Sequence, residues 1–560
     1  MPVELKHMLT TERIDAMRSA GLWPNRLLTD YLDRAVAEHP DQVAITDLNS
    51  MTGGSTTLSY RQLDRLSRRI GLGLAQLGVE VGDVVACQLP NWWQFTALHL
   101  ACLRIGVILN PLMPIFRERE LGYMLGFAES KVLVIPRRFR DFDYPAMVAG
   151  LSTKLPDLNE VLVIGGDGDD SFEARLIEQR WEDETDGETL LLARRPDPND
   201  VALLLYTSGT TGAPKGVLHT SNTLLANALA FVDHVGTTAE DVSLMASPLA
   251  HLTGFLYGLI HPIVLGGRAV LQDIWHPEVA AQVIHDEGVT FTMGATPFLA
   301  DLTQTDGWRR YDVGSLKRFV SAGAPIPRVL VETAKQHLGA HIISGWGMTE
   351  NGFVTGTRPG DAPEKVFGTD GMAMRGMEVR VVDDRGQPLG PGEEGNLEVR
   401  GAFNFVGYMK QPESYNTDKE GWFGTGDYAR MDADGYIRIT GRVKDIIIRG
   451  GENIPVVEVE ELLYRHPAIE DAAIVAMPDP RLGERGCAFV TLKAGEALGF
   501  TEMIDYLSKQ NMAKQYLPER LEVVEAMPRT PSGKIQKFKL REIAETLTND
   551  PDSSALITLG

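Results

Sequence analysis

Cysteine is scarce in this sequence of 560 residues, which contains only Cys87, Cys102 and Cys487. These residues lie far apart and form no C-x-x-C pair, so the sequence offers neither a disulfide framework nor a thiolate metal site. A reducing compartment fits this pattern, and we expect a cytoplasmic protein.

Long apolar runs are also missing. The richest apolar stretch, residues 99–116, is interrupted by Arg104, Asn110, Pro111 and Pro114, so it will not span a bilayer. Residues 1–21 carry charges throughout and contain no apolar core of the kind that signal peptides have. We therefore expect no membrane span.

Positive charge is in deficit. The chain has 54 Lys and Arg against 76 Asp and Glu, a formal net charge of −22. This balance argues against a nucleic-acid partner and against an anionic membrane surface, although a local cluster of basic residues can still bind phosphate. The length alone predicts two or more domains.

Hydrophobic patterning indicates an α/β protein. Leu28–His39 and Tyr60–Leu77 are amphipathic and predict helices, whereas Val84–Gln88 and Lys131–Ile135 predict strands. The alternation continues to about residue 380, which favours largely parallel sheets covered by helices. Gly165–Glu188 is acidic and poor in apolar residues, so we expect a mobile surface excursion without an assigned function.

The pattern changes after residue 380, where three segments alternate like antiparallel strands: Val379–Asp383, Gly395–Arg400 and Tyr436–Thr440. From Ile446 onward the patterns are those of a small α+β domain, with helices over 456–465 and 502–511 and strands over 472–476, 487–492 and 521–524. We predict a large N-terminal domain over residues 1–444, made of two α/β subdomains and a β-rich lobe. A small, mobile C-terminal domain follows over 445–560.

A loop rich in glycine and hydroxyl groups, Tyr206–Gly216, is the most informative stretch. It follows a strand pattern, Val201–Leu205, and precedes a helix pattern, Asn222–Asp233, which Ser221 or Asn222 is expected to cap. Its glycines let the backbone approach a polyanion, its hydroxyls can donate to phosphoryl oxygens, and Lys215 adds positive charge. A surface turn of the same composition is the plainer alternative. A P-loop is excluded, because Lys215 is followed by glycine rather than by Ser or Thr.

This loop resembles, nearly residue for residue, the phosphate loop of the adenylate-forming superfamily, which includes acyl-CoA synthetases, luciferases and the adenylation domains of peptide synthetases. The resemblance implies that ATP is bound by Thr207, Ser208, Gly209, Thr210, Thr211, Gly212 and Lys215. Further motifs follow in the superfamily's order, so that the resemblance covers almost the whole chain.

The second such motif is Gly345-Trp346-Gly347-Met348-Thr349-Glu350, which follows a short strand pattern at His341–Ser344. Alone, its end would read as a helix-capping Thr-Glu pair. Beside a phosphate loop, a carboxylate at a strand end suits Mg²⁺, which binds one or two carboxylates together with water and substrate phosphates. The resemblance implies that Glu350 holds Mg²⁺ and that Trp346 stacks on adenine, in place of the more usual Tyr. Gly345, Gly347, Met348 and Thr349 are expected to complete this nucleotide-binding edge.

Two further motifs are assigned to the nucleoside by resemblance. Ser321–Pro327 matches the segment that packs against adenine and one wall of the acyl pocket, which implies roles for Gly323, Ala324 and Pro325. Asp427, expected at a tight turn, matches the carboxylate that accepts both ribose hydroxyls, and Arg442 follows as a ribose or phosphate contact. As plain structure, these are a proline-containing loop and a turn Asp.

The C-terminal motifs concern the second substrate and the transition state. Arg449, Gly450, Gly451 and Glu452 match the backbone that lines the tunnel for coenzyme A, and Asp445 matches the hinge. Lys534 matches the lysine that bonds both the substrate carboxylate and the α-phosphate, where the transition state gathers negative charge. A basic surface turn is the alternative.

The acyl pocket is expected to draw on His251, Phe255, Ala295, Thr296, Gly323 and Gly347. No Lys or Arg stands among them to bind a second carboxylate, so an apolar monocarboxylic acid fits. His251 is expected to gate this site, although a buried core histidine is the commoner fate of such a residue. With Thr207, Glu350 and Lys534, His251 completes the set assigned to catalysis.

The chain is most similar to the short- and medium-chain fatty-acid and cyclohexanecarboxylate CoA ligases, which share its Gly294–Phe298 stretch. The resemblance implies an enzyme that uses ATP, Mg²⁺ and coenzyme A to convert a carboxylic acid to an acyl-adenylate and then to an acyl-CoA. The sequence leaves open whether the substrate is a straight-chain acid or a cyclic one, because one methylene changes the selectivity by only about 1–3 kcal/mol.

Three rival functions share this fold. A carrier-protein-loading adenylation enzyme would use another acceptor, and a luciferase-like oxygenase would use O₂. An inactive nucleotide-binding scaffold is disfavoured, because Lys215, Glu350, Asp427 and Lys534 are all present. The expected partners are small molecules, and a homodimer stays open.

Overall fold

The structure is a computed structural model, which describes residues 9–151, 154–184, 186–207, 214–322, 328–415, 417–442, 445, 447–449, 452–510, 512, 514–530 and 533–547. Its helices, in chain order, are α1 (Thr11–Ser19), α2 (Leu28–Glu38), α3 (Tyr60–Gln76), α4 (Trp93–Arg104), α5 (Glu118–Ala128), α6 (Tyr144–Ala149), α7 (Trp181–Glu184), α8 (Gly187–Ala193), α9 (Ser221–Val235), α10 (Leu252–Gly254), α11 (His261–Leu265), α12 (Pro277–Glu287), α13 (Thr296–Gln304), α14 (Gly307–Arg310), α15 (Arg328–Leu338), α16 (Pro363–Gly368), α17 (Val456–Tyr464), α18 (Phe500–Lys509) and α19 (Lys537–Thr546). Two π-helical segments, Glu173–Glu178 and Phe255–Ile260, and two 3₁₀ turns, Pro412–Ser414 and Lys514–Tyr516, stand between them.

The strands, in chain order, are β1 (Val43–Asn49), β2 (Gly54–Ser59), β3 (Val84–Cys87), β4 (Ile108–Pro111), β5 (Val132–Pro136), β6 (Arg138–Phe139), β7 (Phe142–Asp143), β8 (Glu160–Ile164), β9 (Val201–Thr207), β10 (Lys215–Thr220), β11 (Val242–Met245), β12 (Arg268–Gln272), β13 (Phe291–Gly294), β14 (Arg318–Ala322), β15 (His341–Met348), β16 (Gly352–Gly356), β17 (Met372–Ala373), β18 (Met377–Val382), β19 (Glu394–Gly401), β20 (Phe423–Met431), β21 (Ile437–Arg442), β22 (Ile447–Arg449), β23 (Glu452–Ile454), β24 (Ile469–Asp479), β25 (Gly483–Leu492) and β26 (Arg520–Val523).

Two largely parallel sheets form the body of the N-terminal domain. One has the order β17-β16-β15-β14-β13-β11-β12-β1-β2, and the other has the order β10-β9-β4-β3-β5-β8. Strands such as β3 and β5 are buried along their whole length, as expected of parallel strands covered on both faces. A capping box between Ser59 and Gln62 starts α3, and the apolar face of that helix packs into the main core.

The remaining two large sheets match the two predicted C-terminal patterns. Strands β18 to β21 form an antiparallel sheet in sequence order, and β22 to β26 form the sheet of a small α+β domain. Alternate residues of β24 serve two cores in that domain. Ala472 and Ile474 face the core that contains α17 and α18, whereas Ala473 and Val475 face the core that contains α19. The predicted fold class, a large α/β N-terminal domain followed by a small α+β C-terminal domain, is confirmed.

The prediction for Gly165–Glu188 was wrong. This segment forms a π-helical turn and α7, and it packs on α3. Leu176 is fully buried, and a Cβ at Gly73 of α3 would lie 2.6 Å from the Leu176 side chain. Arg69 forms an ion pair with Glu182. A few apolar anchors suffice to fold this segment although its average composition is polar.

The surroundings of the glycine-rich loop also differ from the prediction. The chain after the loop forms strand β10, antiparallel to β9, so the loop joins two strands of a hairpin and does not lead directly into a helix. Helix α9 is capped by Thr220, whose hydroxyl accepts a hydrogen bond from the Thr223 N–H. Ser221 lies inside the helix, and the Asn222 side chain accepts from the Asn25 N–H at 2.9 Å. The predicted Ser221 or Asn222 cap was therefore wrong.

Candidate functional site

Neighbouring parallel strands bring several of the predicted residues to one edge of the larger sheet. Strands β11, β13, β14 and β15 are adjacent and parallel. The chain reaches His251 after β11, Ala295 after β13 and Glu350 after β15. Because the carboxyl ends of parallel strands share an edge, these residues follow the strands at the edge where open α/β sheets bind their ligands.

The ends of the glycine-rich loop lie opposite each other in the hairpin. Thr207 closes β9, Lys215 opens β10, and the two residues are cross-strand partners. Ser208, Gly209, Thr210, Thr211 and Gly212 lie outside the described residues, as do Gly323, Ala324, Pro325, Gly450 and Gly451. The Lys215 ammonium lies 4.7 Å from the centre of the Tyr408 ring.

Glu350 stands in the turn after β15 and is only 6% exposed. The Tyr408 hydroxyl donates a hydrogen bond to Oε1 of Glu350 at 2.8 Å. Burial, and then the negative charge of Glu350, raise the pKa of Tyr408, so the phenol stays protonated and keeps donating. The turn itself is fixed by the Phe405 N–H, which donates to the Glu350 carbonyl at 2.7 Å.

Tyr408 lies on a segment that is hydrogen-bonded along β10. The Val406 N–H donates to the Leu218 carbonyl at 2.9 Å, and the Met409 N–H donates to the Gly216 carbonyl at 2.7 Å. Sequence reasoning missed Tyr408, because a single tyrosine in an apolar stretch carries no local signal of its contacts.

Arg13 of α1 supports the same segment from behind. Its guanidinium donates to the Phe405 carbonyl at 3.0 Å and also to the Asn404 carbonyl. A third bond reaches the Tyr415 hydroxyl at 3.2 Å. Burial lowers the pKa of Arg13, as expected for a cation withdrawn from water. This residue was also missed by sequence reasoning.

Trp346 and Asp427 come together between two sheets. The Trp346 indole N–H donates to Oδ2 of Asp427 at 2.9 Å, and the two side chains are 7% and 2% exposed. Asp427 lies within β20, opposite Arg442 of β21, and not at a tight turn as predicted. The side chain of Arg442 lies outside the described residues. The unexpected feature is that the aromatic residue contacts the carboxylate assigned to ribose.

Close packing accounts for both glycines of the β15 motif. A Cβ at Gly347 would lie 1.8 Å from the Gly352 carbonyl oxygen, and a Cβ at Gly345 would lie 2.1 Å from the Phe353 ring. These positions therefore let β16 pack against β15. Met348 ends the strand, and the Thr349 carbonyl is 2.8 Å from Nε2 of His219.

His251 and Lys534 lie near each other. Burial, and then the positive charge of Lys534, lower the pKa of His251 to about 4, so its imidazole is neutral near pH 7. The lysine-bearing turn also reaches the end of β13, because a Cβ at Gly533 would lie 3.7 Å from the Ala295 side chain and 3.5 Å from Pro297. The C-terminal lysine is thus brought to the predicted acyl site.

Of the other predicted acyl residues, Thr296 lies beside Ala295, whereas Phe255 lies in the core. The Thr296 hydroxyl is 3.5 Å from the Ser321 hydroxyl, beside Ala295. Phe255 instead begins a π-helical segment and is fully buried, with ring contacts to His99 at 4.7 Å and to Phe95 at 6.3 Å. Its described ring contacts lie in the core.

The residues predicted to lie near the joint between the domains have ionic partners. Asp445 accepts a hydrogen bond from Arg541 of α19 at 2.8 Å. Arg449, assigned to coenzyme A, forms an ion pair with Glu519 at 2.8 Å. Glu452 lies in β23, and its side chain is outside the described residues.

The donor set fits a metal that is held mainly by substrate. Among the residues that the structure describes, no group of three His, Cys, Asp or Glu side chains could hold a metal ion. Glu350 is a buried carboxylate that shares Tyr408 as a contact with Lys215, at the end of the glycine-rich loop. Mg²⁺ accepts such a site when nucleotide phosphates and water supply its other oxygens. Of the helices in the described part of the chain, none is both long and apolar enough to cross a membrane.

The chain is similar to known proteins along most of its length. A family model described as AMP-binding enzyme matches residues 32–409, and a model described as AMP-binding enzyme C-terminal domain matches residues 458–534. The chain is 39% identical over 543 residues to a medium-chain fatty-acid–CoA ligase of Escherichia coli K12, covering 96% of this chain and 94% of that protein.

Two further similar proteins have other acids in their names. A 2,3-dihydroxybenzoate-AMP ligase of Bacillus subtilis is 34% identical over 545 residues, covering 96% of this chain and 97% of that protein. The crystal structure of the anthranilate CoA ligase AuaEII in complex with anthranoyl-AMP superposes with a TM-score of 0.83 at 28% identity, over 93% of this chain and 98% of that one. The chain belongs to the AMP-binding enzymes, the adenylate-forming superfamily that its motifs resemble.

Proposed function

We propose that this protein is an AMP-forming acyl-CoA synthetase, which activates a carboxylic acid with ATP and transfers the acyl group to coenzyme A. The observation that carries the proposal is the position of Lys534. Its turn rests on Ala295 and Pro297, and its charge acts on His251. A cation at the predicted acyl site is what the attack of one anion on another requires.

In the first half-reaction, the substrate carboxylate attacks the α-phosphorus of ATP, and pyrophosphate leaves. Thr207, Lys215 and the intervening loop residues 208–212 hold the phosphates, and Lys534 stabilises the charge of the transition state. Glu350 would hold Mg²⁺, which when bound neutralises phosphate charge. The neutral imidazole of His251 lines the entrance to the acyl site and transfers no proton.

The nucleoside is held along the edge formed after β14 and β15. Gly323, Ala324, Pro325 and residues 345–349 contact the adenine, and Trp346 gives it an aromatic face. Asp427 accepts hydrogen bonds from the ribose hydroxyls, and Arg442 contacts ribose or phosphate. Support for Asp427 is its burial beside the indole donor of Trp346, which belongs to the motif assigned to adenine.

In the second half-reaction, the thiol of coenzyme A attacks the acyl-adenylate, and AMP leaves. We propose that residues 445–560 form a lid that turns about Asp445, withdraws Lys534 and brings Arg449, Gly450, Gly451 and Glu452 to the pantetheine arm. The change from the sheet of β21 to that of β22 on either side of Asp445 supports this joint. No residue of the protein needs to act as a covalent nucleophile.

The substrate is proposed to be a short- or medium-chain or an alicyclic monocarboxylic acid. The E. coli relative is named for medium-chain fatty acids, and the acyl residues His251, Ala295, Thr296, Gly323 and Gly347 include no Lys or Arg. A carrier-protein-loading enzyme is the second candidate, favoured by the B. subtilis AMP ligase. We further propose a cytoplasmic location, because the three cysteines are free and buried, as suits a reducing compartment. Whether the protein forms a homodimer can be decided by measuring its mass in solution.

The test is an assay of the purified protein with ATP, Mg²⁺ and a panel of straight-chain, alicyclic and aromatic acids. We expect AMP and acyl-CoA to form in equal amounts when free coenzyme A is present. Acyl-adenylate without transfer to free coenzyme A would favour the carrier-loading candidate. No AMP from any acid would refute both.

A further inference from the structure

We propose that Tyr408 is a positioning residue that holds both Lys215 and Glu350 in place, with its ring against the cation and its hydroxyl on the carboxylate. The inference rests on the proposed function, in which Lys215 contacts phosphate and Glu350 contacts Mg²⁺. Tyr408 itself is 5% exposed and is not assigned contact with either substrate.

Two contacts of one side chain carry the proposal. The hydroxyl of Tyr408 donates to Oε1 of Glu350 at 2.8 Å, and the face of its ring lies 4.7 Å from the Lys215 ammonium. The tyrosine thus has a separate chemical group for each partner: an O–H donor for the anion and a π-face for the cation.

The backbone holds Tyr408 in this place. Residue 408 pairs with Val217 in an antiparallel bridge, and the adjacent Met409 N–H donates to the Gly216 carbonyl. Arg13 fixes the preceding Phe405 carbonyl. Because β10 begins with Lys215, the same strand carries the lysine and anchors the tyrosine that contacts it.

Tyr408 thus contacts groups of opposite charge, the Lys215 ammonium and the Glu350 carboxylate. The hydroxyl meanwhile orients the carboxylate and occupies one position on Oε1, as hydrogen-bond partners of metal-binding carboxylates commonly do.

The experiment separates the two contacts with two variants. Tyr408→Phe keeps the ring and removes the hydroxyl, whereas Tyr408→Leu removes both. For each, the affinity for ATP is measured by calorimetry in EDTA, and the affinity of the protein–ATP complex for Mn²⁺ is measured by electron paramagnetic resonance. Neither measurement depends on turnover. Thermal unfolding confirms that each variant is folded.

We expect Tyr408→Phe to leave metal-free ATP affinity within twofold of wild type and to weaken Mn²⁺ binding about 10- to 100-fold. Tyr408→Leu should weaken Mn²⁺ binding at least as much, and should also weaken metal-free ATP binding about 2- to 30-fold through loss of the ring.

Tyr436 offers a matched control. Its hydroxyl donates to Asp361 at 2.9 Å, and its ring lies 4.3 Å from the Lys365 ammonium, so it repeats both contacts at a position outside the predicted site. Tyr436→Phe should change neither affinity. Mn²⁺ binding that is equal in wild type and Tyr408→Phe, or weakened equally by Tyr436→Phe, would overturn the inference. A wild-type protein that binds no ATP would instead refute the proposed function.

Discussion

The contact between Trp346 and Asp427 yields a prediction about sugar recognition. If Asp427 accepts hydrogen bonds from ribose, the indole N–H that already bonds its Oδ2 at 2.9 Å orients the carboxylate before the nucleotide arrives. Trp346→Phe keeps an aromatic face for adenine and removes only that donor. The change therefore separates stacking from orientation.

The expected magnitude follows from burial. Trp346 and Asp427 are 7% and 2% exposed, so little water is available to replace the lost donor. Removing one hydrogen-bond donor from a buried polar group costs about 1–3 kcal/mol. Part of this cost lowers the stability of the nucleotide-free protein and leaves ATP affinity unchanged. We expect the part that misorients the carboxylate to be about 1 kcal/mol, or about fivefold in affinity for ATP.

The assay compares ATP with 2′-deoxy-ATP and 3′-deoxy-ATP by isothermal titration calorimetry. Trp346→Phe should lower the affinity for ATP about fivefold more than it lowers the affinity for either deoxy analogue. The matched control is Trp92→Phe, which removes a similar indole bond to Asp273 at 3.0 Å and should leave all three affinities unchanged. Equal weakening of the three nucleotides by Trp346→Phe would refute the orienting role and leave stacking alone.

Three further predictions concern the lid, acid stability and the corrected segment. Lys534→Ala should slow acyl-adenylate formation by about 10²- to 10³-fold, yet spare thioester formation from acyl-adenylate supplied ready-made; an equal loss in both half-reactions would contradict the two-position scheme. His99 ordinarily has a pKa of 6.5, but burial lowers its pKa to about 3 in the folded protein. As the pH falls, His99 is therefore protonated in the unfolded chain before it is protonated in the folded protein, so the stability of the fold should decrease from pH 6.5 toward pH 3. In His99→Phe, the melting temperature should depend less steeply on pH over that range. Gly73→Ala places a Cβ 2.6 Å from the Leu176 side chain and should cost about 1–3 kcal/mol of unfolding free energy; an unchanged denaturation midpoint would contradict the packing of residues 173–178 on α3.

Local patterns predicted the sheets well where burial is continuous. Strands such as β3 and β5 are unbroken runs of apolar residues, and helices α2 and α3 carry one apolar face, so composition and period determine them. The same reasoning failed at Gly165–Glu188, where Phe172 and Leu176 are fully buried among many acidic neighbours. Averaged composition hides a few anchors whose partners are distant in the chain.

The candidate site shows a similar division. The order of the motifs was enough to assign most residues, because each motif is a short stretch whose chemistry is local. Tyr408 and Arg13 could not be found in this way, since their partners lie 58 residues away at Glu350 and 392 residues away at Phe405. Asp427 was assigned from its motif, but its bond to Trp346 spans 81 residues and depends on how two sheets pack.

The position of the C-terminal domain is harder to predict from the sequence, because it depends on contacts between the domains that each contribute little free energy. In the described residues, contacts between the domains include an ion pair from Arg438 to Glu461, the turn at Gly533 against Ala295 and Pro297, and the charge of Lys534 near His251. Exposed ion pairs are worth about 0–1 kcal/mol each, and we expect a few contacts between the domains to hold the C-terminal domain without locking it. A sequence specifies such pairs only weakly, since several surface charges could form alternatives. For the proposed reaction this weakness is useful: the lysine that completes adenylation must leave before a thiol can reach the same carbonyl.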